Sequence, residues 1–135
     1  AGSHSDLVTG LEDWMVTIHE LVGVKKPMPQ NHDGISIVPA LLGKKQKPRS
    51  FLYREFSGYG GQQAVWAGKW KAIRQKMLRK GKNHDPLKIE LYDLEKDVSE
   101  SNDLASENPQ IVKRLKKLME DQHVPSKEFP IHVID

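Results

Sequence analysis

Residues 62–94 read QQAVWAGKWKAIRQKMLRKGKNHDPLKIELYDL. Ala64-Val65-Trp66 and Trp70-Lys71-Ala72-Ile73 alternate as strands do, on either side of a tight turn at Ala67-Gly68. Residues 76–86 hold too much Lys, Gly, Asn and Pro for a strand interior and read as a long hairpin loop. Long loops add little closure entropy and often carry function. Leu87, Ile89 and Leu91 then alternate with Lys88, Glu90 and Tyr92, the pattern of a half-buried strand. The stretch predicts the middle of an antiparallel sheet.

The flanks fit around it. Upstream, residues 50–57 (SFLYREFS) have the aromatic content of a further strand. Ser57-Gly58-Tyr59-Gly60-Gly61 follows as a flexible inter-strand loop. No Lys-Ser/Thr pair and no helix follow it, so it is not a P-loop. Downstream, residues 95–106 read as acidic turns, and Asn108-Pro109 starts a last helix. There Ile111, Val112, Leu115, Leu118 and Met119 form one apolar stripe, with Lys113, Arg114, Lys116 and Lys117 outside it. Pro125 and Pro130 predict an extended tail.

Residues 9–22 predict an amphipathic helix, with Leu11, Trp14, Met15, Ile18, Leu21 and Val22 as its apolar stripe. Thr9 and Glu12 fit a capping box, with Asp13 as the alternative N-cap, and Gly23 ends the helix. Pro27 and Pro29 mark a loop to Gly34, in which His32-Asp33 reads as a turn. Residues 36–42 predict one or two helical turns, started by Ser36, with Pro39 early and Gly43 closing them. Together these elements predict an α+β fold: a small four-stranded antiparallel sheet packed by a C-terminal helix, with an N-terminal helix.

The 135 residues suit one domain. Ala1-Gly2-Ser3-His4-Ser5 resembles a cloning remnant, which leaves 6–135 as the domain and implies that the natural chain extends upstream. No apolar run approaches the ~18 residues of a membrane span. The absence of cysteine removes disulfides, thiolate metal sites and a Cys nucleophile.

The net charge of +3 is unevenly placed. Residues 69–82 carry Lys69, Lys71, Arg74, Lys76, Arg79, Lys80 and Lys82 with no acid. Residues 90–107 carry seven acids against Lys96 alone. Such blocks predict neighbouring solvated faces that partly neutralise each other, with an anion-binding surface as the alternative. No serine sits in a nucleophile elbow, and the histidines lack ligand spacing. The carboxylates of 90–107 read as solvated turn residues. Trp66 and Trp70 interleave with lysines, but no nucleic-acid motif accompanies them, and strand tryptophans are usually core. No catalytic, cofactor-binding or metal-ligating residue emerges.

Four segments, in order, resemble the C-terminal subdomain of the type I, formylglycine-dependent sulfatases. D-W-M-V-T-I-H-E-L-V-G-V (13–24) is similar to the family's D-L-x-P-T-L-x-x-L-A-G, with Val16 in place of proline. D-G-I-S-I-V-P-A-L-L-G (33–43) is similar to D-G-x-S-x-x-P-x-L-x-G. Q-A-V-W-A-G-K-W-K-A-I-R (63–74) is similar to A-V-R-x-G-x-W/Y-K, with Trp66 where arginine is common. E-L-Y-D-L-E-K-D-V-S-E-S-N-D-L-A (90–105) is similar to E-L-Y-D-L-x-x-D-P-x-E-x-x-N-L-A, with Val98 in place of proline. The tail H-V-P-S-K-E-F-P resembles the end of polysaccharide-directed members, and N-acetylgalactosamine-6-sulfatase-like and heparan-type enzymes look nearest.

The resemblance implies a parent chain that hydrolyses sulfate esters, in a periplasmic or secreted setting. It implies a formylglycine nucleophile made from Cys or Ser in [C/S]-x-P-x-R, and a calcium ion that polarises the sulfate. That motif is missing here, and the family's metal ligands and sulfate-binding Lys and His lie upstream of Asp13. The resemblance therefore implies a non-catalytic piece partnered by the upstream catalytic domain of the same chain. It also implies that two loops line the mouth of the substrate cleft, Gly58–Gln62 and Arg79–His84. Gly60, Gln62, Arg79, Lys80, Lys82 and His84 are the candidate cleft residues, placed to attract a sulfated glycan. The competing expectation is a stand-alone module for anionic glycan or nucleic acid.

Overall fold

A computed structural model describes all residues except Ala1, Ser3 and Asn83. The chain forms two compact units, residues 1–49 and 50–135.

In the second unit, strands β1 (Leu52–Phe56), β2 (Gln62–Ala67), β3 (Trp70–Gln75) and β4 (Glu90–Asp93) form an antiparallel sheet in the order β1-β2-β3-β4. Ala67 pairs with Trp70, so the hairpin turn is Gly68-Lys69, one residue beyond the predicted position. Gly68 has φ +61° there, the left-handed conformation that glycine adopts without strain. Tyr53, Val65, Ala72 and Leu91 fall in one cross-strand row. Helix α3 (Pro109–Gln122) lays its predicted stripe on this row. Val65, Ala72, Ile89, Leu91, Leu115 and Met119 make the buried core, flanked by Ile111, Val112 and Leu118.

The other face is covered as well: Ala64, Ile73 and Tyr92 pack with Trp66 and Leu94. The half-buried reading of the last strand is corrected in two ways. Tyr92 is buried rather than solvent-facing, and pairing begins only at Glu90, with Leu87 exposed. Asp85 ties up the approach, because its carboxylate accepts from the Leu87 N–H and its carbonyl from the Lys88 N–H. The open edge of β4 is also occupied. Leu91 N–H donates to Asp103 Oδ1 at 3.0 Å, and Leu104 N–H returns to the Leu91 carbonyl at 2.8 Å. An edge so covered cannot template pairing with another chain. Asn108 takes the N-cap position of α3, but its side chain donates to the Leu104 carbonyl and does not cap the helix.

In the first unit, α1 runs over Asp13–Leu21 and α2 over Val38–Leu41. Here the sequence pattern misleads. Leu11, Trp14, Met15, Ile18, Leu21 and Val22 are exposed, whereas Asp13, Val16 and Thr17 are buried. The buried polar pair holds the chain that crosses the helix. Asp13 accepts from the N–H groups of Gly10 (2.7 Å) and Ile35 (2.9 Å), and Thr17 Oγ1 accepts from Ile37 N–H (3.1 Å). The predicted capping box does not form: Glu12 stands at the N-cap, with no side-chain cap. Gly34 explains the D-G-x-S spacing. A Cβ there would lie 2.2 Å from the Glu12 carbonyl oxygen, so only glycine lets the two backbones touch.

Candidate functional site: the loops beside the β2 and β3 ends

The two loops singled out from the sequence meet. Met77 N–H donates to the Gly61 carbonyl at 3.0 Å, and Leu78 N–H to the Gly60 carbonyl at 2.7 Å. Continuing the β2–β3 ladder past its last pair, Gln62–Gln75, these bonds zip the glycine loop to the basic one. Met77 is buried beneath them. A Cβ on Gly61 would lie 2.9 Å from Leu78 Cγ, and one on Gly60 would sit 3.6 Å from Arg79 Cγ. The absence of a side chain at 61 is thus what allows the close approach, whereas 3.6 Å at 60 is ordinary contact. The glycine loop is a single 3-10 turn over Gly58–Gly60, bonded by Gly61 N–H to the Gly58 carbonyl.

Of the six candidate residues, Gly60 and Arg79 are in contact range across this seam. Arg79, Lys80 and Lys82 are exposed, and none makes an ion pair among the described residues. His84 folds back, its Nε2 2.8 Å from the Lys76 carbonyl oxygen. Gln62 belongs to the sheet, paired with Phe56 and Gln75. Residue 83, inside the basic loop, lies outside the described residues.

Three of the other four cations of the basic block are already engaged, and Lys76 is exposed with no ion pair among the described residues. Lys69 Nζ is 2.6 Å from Asp93 and 4.8 Å over the Trp70 ring. Lys71 Nζ is 2.6 Å from Glu100 and 5.2 Å over Trp66. The predicted neutralisation by the acidic block therefore holds for these two lysines, and the charge left without an ion pair among the described residues lies at Lys76 and residues 79–82. The acids are structural more than solvated. The Lys69 ammonium holds the Asp93 carboxyl below its usual range, aided by the Glu95 N–H. Asp97 is lowered by the N–H of Asn102, with Ser99 and Ser101 assisting. Burial would raise Asp103, but the N–H groups of Leu91 and Ala105 outweigh it.

Sequence reasoning missed one buried constellation. Arg74 is 2% exposed, and its Nη1 donates to Gln63 Oε1 at 2.7 Å. Gln63 Nε2 donates to the Tyr53 hydroxyl at 2.8 Å, and the hydroxyl donates to Glu55. His123 Nδ1 lies 2.9 Å from the same Glu55 carboxylate, and its Nε2 3.3 Å from Asp135. Only the register could have shown this: Glu55, Gln63 and Arg74 are direct cross-strand neighbours. A larger groove of about 1280 Å³ runs between the β2–β3 turn and α3, with Phe51, Trp70 and Leu118 among its lining. The α3 lysines at its rim are partly compensated, Lys116 by Glu120 and Lys117 by Asp121. Among the described residues no three His, Asp or Glu side chains converge as a metal site would require.

Comparison with known proteins identifies the family. Residues 1–125 match the family described as N-sulphoglucosamine sulphohydrolase, C-terminal. An N-acetylgalactosamine-6-O-sulfatase of Bacteroides thetaiotaomicron is 28% identical over 108 residues, 72% of this chain. The chain spans 20% of the length of that relative. A candidate sulfatase from the same organism superposes with a TM-score of 0.65 at 26% identity, covering 81% of this chain and 23% of its own. A protein solved with its substrate D-glucosamine-2-N,6-O-disulfate shares the fold, with a TM-score of 0.61 at 22% identity, over 81% of this chain and 22% of its own. The chain belongs to the N-sulphoglucosamine sulphohydrolase C-terminal family and carries the C-terminal domain of a sulfatase.

Proposed function

We propose that the whole protein hydrolyses sulfate esters of glycans, and that this domain completes its fold and borders its substrate cleft. The family match over residues 1–125 carries the reading. The named substrates of the relatives, an N-acetylgalactosamine 6-sulfate and a glucosamine disulfate, support a sulfated glycan. The nucleophile, a formylglycine, and the calcium ion belong to the catalytic portion upstream. Residues 1–135 contain no [C/S]-x-P-x-R, and on this reading they serve as the non-catalytic part of the enzyme. The exposed apolar stripe of α1, with Trp14, Met15, Ile18 and Leu21 each about half exposed, supplies a face for that upstream portion.

Within this reading, Arg79, Lys80 and Lys82 draw the polyanionic substrate to the cleft mouth. Replacing all three by alanine in the full-length enzyme is expected to raise KM for a sulfated oligosaccharide about five-fold. That is the ~1 kcal/mol that exposed charge pairs supply, and the increase shrinks at high salt. An unchanged KM at low salt overturns the assignment.

A further inference from the structure

We propose that Tyr59, with Phe56 beneath it, is a stacking platform for one pyranose ring of the substrate. This rests on the glycan reading above and goes beyond it, because it names an apolar subsite next to the charged one. Tyr59 is 85% exposed and Phe56 56% exposed, an unusual state for two adjacent aromatic rings. Their centroids lie 6.0 Å apart at 53°, so they form one tilted patch. The backbone is built to present it. Tyr59 holds φ +51°, a left-handed conformation disfavoured for a bulky side chain. The Phe56 ring occupies the space a Cβ on Gly58 would take, at 2.4 Å, so glycine at 58 leaves room for the ring in this position.

The chemistry of the surroundings selects the occupant. The 3-10 turn that carries Tyr59 is bonded through Gly60 and Gly61 to Leu78 and Met77, immediately before Arg79 and Lys80. An apolar ring face beside uncompensated cations suits a ligand with both characters. A sulfated pyranose has a C–H face to lie on the negative π surface and a sulfate to meet the cations. A purely apolar partner would leave Arg79, Lys80 and Lys82 without a role, and an anion without a ring face would leave Tyr59 without one.

The test uses the full-length enzyme with Tyr59→Ala and Tyr59→Phe. The probes are a chondroitin 6-sulfate hexasaccharide, a heparin hexasaccharide and 4-nitrocatechol sulfate. For the turned-over hexasaccharide, Tyr59→Ala is expected to raise KM about ten-fold. The ratio of its kcat/KM to that for the aryl sulfate falls to match. Tyr59→Phe, which keeps the ring, behaves as the parent. Because the side chain is exposed, the melting temperature stays within a degree or two of the parent. A Tyr59→Ala enzyme with unchanged KM, alongside a weakened Arg79/Lys80/Lys82 variant, overturns the platform and leaves the glycan reading standing. Failure of the unmodified enzyme to turn over either hexasaccharide overturns both. Tight binding of a single-stranded oligonucleotide, lost on Tyr59→Ala, with no hexasaccharide binding, also overturns the proposal.

Discussion

Asp13→Ala is expected to destabilise the first unit by about 3 kcal/mol, the cost of breaking a buried ion pair from one side. Asp13 is fully buried at the start of α1. Its carboxylate takes two backbone donors, Gly10 and Ile35, and the Arg49 guanidinium. Alanine would leave both amides without that acceptor, and Arg49 only its longer contact with Glu12 at 3.5 Å. Asp13→Asn keeps an oxygen for one amide and loses the charge, so it should cost less. Amide exchange is the sharpest readout. Protection at Gly10 and Ile35 should collapse in Asp13→Ala while Val65 and Leu91, in the other unit's core, stay protected. Wild-type protection at Ile35 would show that α1 and the 34–37 segment are held by packing alone.

The same site gives a pH dependence. Burial would raise the Asp13 carboxyl, but the Ile35 and Gly10 N–H groups and Arg49 outweigh it and hold it below the ordinary carboxylate value. A depressed folded-state pKa contributes stability that is fully present above the unfolded value, roughly pH 4. That contribution is lost as pH falls through the folded value. Acid unfolding of the first unit is therefore expected below about pH 4, and Asp13→Asn should flatten its pH dependence there. Asp93, Asp97 and Asp103 are depressed in the second unit, so its stability falls over the same range, and independently of residue 13.

How far the sequence could be read depended on what each pattern encodes. The alternation of 64–73 and the stripe from Ile111 to Met119 encode burial directly, so the sheet and α3 were legible. The stripe on α1 has the same period, yet its residues are exposed. Inside the unit, the helix is fixed by Asp13 and Thr17, which no hydrophobic period reveals. The two loops were legible by composition and by family resemblance, as glycines and cations. Their zippering through Gly60 and Gly61 was not, because it depends on backbone groups every residue carries. Arg74 misled for a simpler reason. In a run of lysines it reads as surface charge, whereas its partner Gln63 stands opposite it only once the hairpin register is known.

That hidden arginine sets the second large effect. Arg74→Ala is expected to destabilise the second unit by about 3 kcal/mol. The loss combines the packing of a long buried stem with an orphaned Gln63 Oε1, since a buried acceptor left without its donor costs about 1–3 kcal/mol. The charge itself is a burden. Burial lowers the Arg74 pKa despite Glu120, Tyr53 and Asp85 nearby, and Nε has no hydrogen-bond partner among the described residues. Arg74→Met keeps the stem and drops the buried charge, so it should lose about 1 kcal/mol, most of it from Gln63. Adding Gln63→Leu should recover part of that loss, because removing both partners leaves no buried acceptor unmet. The Tyr53 hydroxyl would still keep Glu55. Urea denaturation of the four chains distinguishes the terms. If Arg74→Ala unfolds within 0.5 kcal/mol of the parent, as surface substitutions do, the arginine is not a structural element. Its position in the basic run would then have to be read as surface charge after all. If the double variant is more stable than Arg74→Met alone, the network's cost lies in the stranded glutamine. The cationic appearance of residues 69–74 then reflects how the sheet is held together, and the charge available to a sulfated ligand begins at Lys76.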